Sequence, residues 1–151
     1  MTLGEIKDQV MFQTNNDSED VGDYLPHLID YINEGYDALL NAWCKAHIGT
    51  GEYDRLEIDP DEPQLPEWTH RALADYATWL VYRNGNPQKQ NRGAAFYSAF
   101  REVLNRINSV RASIGAYTNR LEHTVQSLDA TEENMSAAIS RLKDEIGRAH
   151  V

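Results

Sequence analysis

Cysteine is nearly absent: Cys44 stands alone in 151 residues. A single thiol makes neither an internal disulfide nor a zinc site, so packing must carry the stability. Cys44 follows Trp43 near the end of an amphipathic stretch, with no nucleophile motif around it, and is expected to be structural. Long apolar runs are missing too, none approaching the roughly 20 residues that span a bilayer. Met1 opens onto a polar amphipathic stretch, so no cleaved secretory signal is expected. The chain is expected to be intracellular, viral, or exported by a route that needs no such signal. There is no P-loop, no G-x-G-x-x-G and no G-x-S-x-G. His27, His47, His70, His123 and His150 fall on separate segments, without H-x-x-x-H spacing. No catalytic residue, metal, cofactor or small-molecule substrate is expected; an enzyme would need a pocket joining His70, Asp75 and a polar partner.

Basic charge is scarce where acid is dense. The formal net charge is -10, and residues 1–65 hold 15 acidic and 3 basic side chains, against 3 and 6 in residues 66–107. An acidic surface repels phosphate backbones, so no nucleic-acid contact is expected from the N-terminal part. It suits a solvated face or a basic protein partner. The length fits one domain, or one domain with an appendage.

What is present is helical. Thr2 and Glu5 form a T-x-x-E capping box ahead of Leu3, Ile6 and Val10, predicting a first helix that ends in the polar run from Thr14 to Ser18. After Asp23, the series Tyr24, Leu25, Leu28, Ile29, Ile32, Tyr36, Leu39, Leu40 and Trp43 predicts a long second helix, with Pro26 tolerated in its first turn and Gly49 and Gly51 beyond its end. The stretch from Thr50 to Leu65 is broken by Pro60 and Pro63 and is expected to be a long exposed loop. Its carboxylates Asp54, Glu57, Asp59, Asp61 and Glu62 lack the glycine and closing glutamate of a calcium loop. Pro66 opens a third helix, Glu67 to about Arg83, with Trp68, Leu73, Tyr76, Trp79 and Leu80 on one stripe. Asn84-Gly85-Asn86-Pro87 predicts a turn.

Beyond a small basic corner at Lys89 and Arg92, Phe96, Phe100 and Val103 open a pattern of alternating four- and three-residue steps. It continues through Ile107, Val110, Ile114, Tyr117, Leu121, Thr124, Leu128, Thr131, Met135, Ala138 and Leu142, as a heptad seam does. Such a narrow stripe wants a partner helix. The expected fold is therefore all-α: a domain of about four helices followed by a long projecting coiled-coil-type helix. A hairpin folded back near Gly115 or Asp129-Ala130-Thr131 is the alternative.

From Ile107 to Asp144 the sequence resembles the C-terminal core region of bacterial flagellin. The resemblance lies in Arg111, Gly115-Ala116, the block Asn119-Arg120-Leu121-Glu122-His123-Thr124, Leu128, Glu133-Asn134, Ala137-Ala138, Ser140-Arg141 and Asp144. It implies a structural molecule of the extracellular flagellar filament, whose segment pairs in an antiparallel coiled coil with flagellin-type helices.

Residues 1–106 resemble small helical head–tail connector proteins of tailed phages, through D-Y-L-P-H-L-I-D-Y-I-N-E-G-Y-D and L-P-E-W-T-H-R-A-L-A-D-Y-A-T-W-L-V-Y-R-N-G-N-P. That resemblance implies ring assembly in a virion or host cytoplasm, as a homo-oligomer. Lys89 and Arg92 would then face Asp59, Asp61 and Glu62 of neighbouring subunits. Residues 145–151 back-translate in one frame into a short-read sequencing adapter and are expected to be a non-native tail. Together these readings imply a chimera joined near Asn105 to Ile107. The remaining alternative is a coiled-coil protein that recruits a helical partner.

Overall fold

The computed structural model describes residues 1–14, 21–45 and 53–149. Among them lie five α-helices, one 3-10 turn and no strand. The helices are α1 (Leu3–Gln13), α2 (Val21–Tyr24), α3 (Leu28–Lys45), α4 (Glu67–Arg83) and α5 (Pro87–Ala149). The chain divides into two compact units, Met1–Arg111 and Ala112–Val151.

The first unit is built on α1 and α3 packed against α4. The capping box forms as expected: Thr2 Oγ1 accepts from the Glu5 N–H, and Glu5 Oε2 accepts from the Thr2 N–H. Leu3, Ile6 and Val10 of α1 are fully buried, each contributing roughly 1.5–3 kcal/mol. The expected single second helix is instead interrupted by a 3-10 turn at Leu25–His27. Pro26 has no N–H to continue the α2 ladder, and the helix resumes only at Leu28. The expected stop at Gly49 and Gly51 lies outside the described residues.

Residues 53–65 are not simply an exposed loop. Leu56, Pro63 and Leu65 are buried. Asn33 brackets Leu56, its Oδ1 accepting from the Leu56 N–H at 3.0 Å and its Nδ2 donating to the Leu56 carbonyl at 2.9 Å. The Gln64 N–H donates to the Tyr36 hydroxyl at 2.9 Å. Asp61 Oδ2 accepts from the Glu57 and Ile58 N–H groups and pins the turn. The Asp59 and Asp61 carbonyls accept from Gly4 and Leu3, satisfying the first-turn donors of α1.

α4 begins after Pro66 as expected, and α5 begins at Pro87, ahead of the expected pattern. Gly93 allows the two helices to meet: a Cβ there would sit 2.9 Å from Tyr82 Cβ. Trp79 stacks on Tyr97 at 4.4 Å between ring centroids, and Tyr76 packs on Phe100 at 4.7 Å. α5 is one continuous helix, so neither suggested break, at Gly115 or at Asp129-Ala130-Thr131, occurs.

Candidate functional site

Two places could carry a function, one in each unit. In the first, a groove of about 520 Å³ is lined by Trp68, Arg71, Asp75, Phe96, Glu102 and Arg106, among others. The Arg106 guanidinium lies 4.6 Å from the Trp68 ring centroid. Asp75 is 8 % exposed, and its Oδ1 accepts from Gln13 Nε2 at 2.7 Å. Burial raises its carboxyl above the ordinary range, opposed by the Gln13 bond and the Arg71 charge.

His70 does not line this groove. Both its ring nitrogens are engaged, Nδ1 with the Met1 amine at 2.9 Å and Nε2 with the Leu65 carbonyl at 2.7 Å. The amine donates to Nδ1, so Nε2 carries the proton given to Leu65. His70 and Asp75 therefore form no acid–base pair. Among the described residues no three metal-ligating side chains lie together, and no helix is long and apolar enough to cross a membrane.

The suggested ring-contact residues are already partly committed within the chain. Asp59 pairs with Lys7 at 2.6 Å, and Asp61 holds its own turn. The two N–H bonds, from Ile58 first and then Glu57, hold the Asp61 carboxyl below its ordinary range. The Lys89 backbone N–H, rather than its ammonium, donates to Asn86 Oδ1. Glu62 and Arg92 are exposed.

The second place is the helical surface of the other unit, where every described residue is exposed. What distinguishes its faces is which exposed side chains are apolar. Ile114, Tyr117, Leu121, Val125, Leu128, Met135, Ile139, Leu142 and Ile146 are, with Val110 just ahead of the unit boundary. Ile107, expected on the same seam, is instead fully buried in the core of the first unit beside Phe100. Thr124 and Thr131 turn their hydroxyls back to the Arg120 and Ser127 carbonyls, at 2.9 and 2.8 Å.

Val125, Ile139 and Ile146 were missed by a strict heptad template. Followed through the exposed apolar side chains, the stripe slips once, with steps of four on both sides of Leu121. A straight α-helix drifts about 20° per heptad, and such an extra step resets the drift. Thr124, Thr131 and Ala138 fall progressively off the face, whereas Val125, Leu128, Met135, Ile139 and Leu142 keep to it. Glu132 occupies the same face between Leu128 and Met135. Arg111, Asn119, Arg120, Glu122, His123, Asn134, Ser140 and Arg141, singled out by the flagellin resemblance, are exposed around this stripe.

Comparison with known proteins falls largely on this helix. Residues 98–145 match the family described as bacterial flagellin C-terminal helical region, about a third of the chain. Flagellin FlaB2 of Treponema pallidum is 42% identical over 73 residues, covering 48% of this chain and 24% of the relative. The flagellar filament 33 kDa core protein of Treponema phagedenis shows the same identity and coverage. Flagellin of Bacillus subtilis is 51% identical over 43 residues, covering 28% of this chain and 14% of the relative. The chain thus spans about a quarter or less of the length of these relatives. No solved structure matches. The segment is flagellin-like: the family match begins at residue 98, and a likeness of 73 residues in a chain of 151 begins no later than about residue 79, ahead of the join expected near Asn105 to Ile107.

Proposed function

We propose that this chain is a structural, non-enzymatic protein that enters a flagellar filament assembly through residues 98–145, which pair there with flagellin-type helices. One observation carries the reading: the exposed apolar stripe from Val110 to Leu142 lies inside the flagellin match. A helix with an uncovered apolar face gains its stability from a partner rather than from propensity. The implied site of action is the extracellular filament.

The likeness of residues 1–106 to phage connectors, and with it the chimeric reading, rests on sequence resemblance alone. The flagellin match crosses the point where the two parts would be joined. A ring contact would use Arg92 and Glu62, both exposed.

The test is co-assembly. Labelled full-length chain is mixed with Treponema pallidum FlaB2 monomers during seeded polymerisation, and filaments are collected by sedimentation. The chain is expected in the filament pellet. FlaB2 that polymerises while all of the chain stays in the supernatant overturns the reading.

A further inference from the structure

We propose that the stripe on α5 also pairs with a second copy of this chain, as a parallel, in-register two-stranded coil, and that Glu132 makes this pairing weaken as pH rises. The inference rests on the stripe alone, so it stands or falls separately from co-assembly with flagellin.

Beyond the slip, side-chain shape sorts the apolar residues of the two rows: Val125, Ile139 and Ile146 are β-branched, whereas Leu128, Met135 and Leu142 are not. Ahead of it Ile114 follows the same rule, and Leu121 in the first row and Val110 in the second depart from it. β-branched residues in the first row with leucine in the second favour two parallel strands. The slip at Leu121 then fixes the register, because parallel copies in register bring the slip opposite itself and every layer meets its equivalent.

An antiparallel copy can match both halves of the stripe only with Leu121 facing Leu121. Met135 and Leu142 of one copy would then lie against positions 107 and 100 of the other. Ile107 and Phe100 are 0 % and 3 % exposed, already covered by their own domain, so that face has no room.

From Val110 to Ile146 the strip is about 54 Å long. At a width of about 10 Å, two copies bury on the order of 1,000 Å², near the lower limit of a specific interface. The flanks do not oppose pairing. Across a parallel pair Thr124 faces Asp129, Thr131 faces Ser136 and Ala138 faces Lys143, with no like charges opposed from 124 to 143; only Arg106 and Arg111, at the start of the strip, would face one another.

Glu132 is the exception, since it shares the row of Val125 and Ile139 and would meet its own copy. The other charged groups around it are Asp129 and Glu133 on the same helix, with their counterparts. No Lys, Arg or His lies between 128 and 136, and all these side chains are exposed, with no other element of the unit packed on them. Two facing carboxylates cannot both stay ionised without cost, so pairing takes up protons. Association therefore strengthens as pH falls and weakens as it rises.

Sedimentation equilibrium of the full chain at pH 7.5 and pH 5.5, with the E132Q and E132V variants, tests this. The natural chain is expected to dimerise at least tenfold more tightly at pH 5.5. E132Q should lose most of that dependence, and E132V should dimerise at least tenfold more tightly at pH 7.5. With Cys44→Ser and Leu142→Cys combined, air oxidation should link the dimer covalently and faster than it links the same variant carrying Leu128→Asp, since a parallel register sets position 142 against itself whereas an antiparallel pair centred on Leu121 sets it against position 100. Three outcomes overturn the proposal: natural chain and E132V both monomeric at about 100 μM at either pH; a dimer that Leu142→Cys does not cross-link; or an E132Q pH response equal to that of the natural chain. A monomer that nonetheless co-sediments with FlaB2 filaments assigns the stripe to the filament partner alone.

Discussion

Asp75 shows how a buried carboxylate can hold two helices together and still weaken the fold. Gln13 reaches it from α1, its Nε2 donating to Asp75 while its Oε1 accepts from Thr78 at 2.5 Å. Burial is the largest influence on the carboxyl and raises it above the ordinary range. The folded chain thus holds this proton more tightly than the unfolded chain does. Stability falls as pH rises from the ordinary carboxylate range through the raised value, and the cost is fully present above that value. Asp75→Asn keeps an oxygen for Gln13 Nε2 without the charge. It is expected to raise the melting temperature at pH 7.5, with the gain vanishing below the ordinary carboxylate range. A melting temperature at pH 7.5 equal to or below that of the natural chain would contradict this account of Asp75.

At the scale of elements, the stripe on α5 and the core of the first unit make separable demands. Leu121 and Leu128 are 66 % and 63 % exposed. Replacing both with Asp should abolish self-association and co-assembly, since a charge in either layer is left facing an apolar one. Far- and near-ultraviolet circular dichroism should still show the cooperative melt of the aromatic core around Tyr76, Trp79 and Phe100. Loss of that melt would show that the two units share one core. Elements whose signals are local were legible in the sequence: the Thr2–Glu5 box, the Pro66 start of α4, and the Asn84–Pro87 turn. Contacts such as Gln13 to Asp75 and Asn33 to Leu56 were not. They join residues 62 and 23 positions apart, and nothing in periodicity marks a polar side chain that will find a distant partner. The slip at Leu121 is written plainly in Val125 and Ile139, but a template of strict sevens passes over it. Ile107 shows the converse limit: periodicity places it on the seam, and only the tertiary fold shows that the core already claims it.

For the whole molecule, charge is the dominant variable. A net charge of -10, with most of the acid before residue 66, works against compactness. Ion pairs such as Lys7–Asp59, Arg55–Asp30 and the Met1 amine with Glu5 are at least partly exposed and offset little of it. Sodium chloride raised from about 10 mM to 500 mM shortens the Debye length several-fold. It is therefore expected to raise the melting temperature of the first unit by a few degrees, as read by calorimetry. A fall would mean that these exposed pairs outweigh the repulsion.

The carbonyls that complete the first turn of α1 belong to Asp59 and Asp61. The side chains that grip its last turn come from Asp75 and Thr78, and Phe100 and Ile107 belong to the same core. A ribosome delivers these groups in that order, each long after α1 itself has left the exit tunnel. Although α1 precedes the other described helices in the chain, it is thus among the last to be secured. Until about residue 107 has emerged, Leu3, Ile6 and Val10 remain without their full set of neighbours, and the nascent chain depends on its acidic charge, or on a chaperone, to stay apart from others.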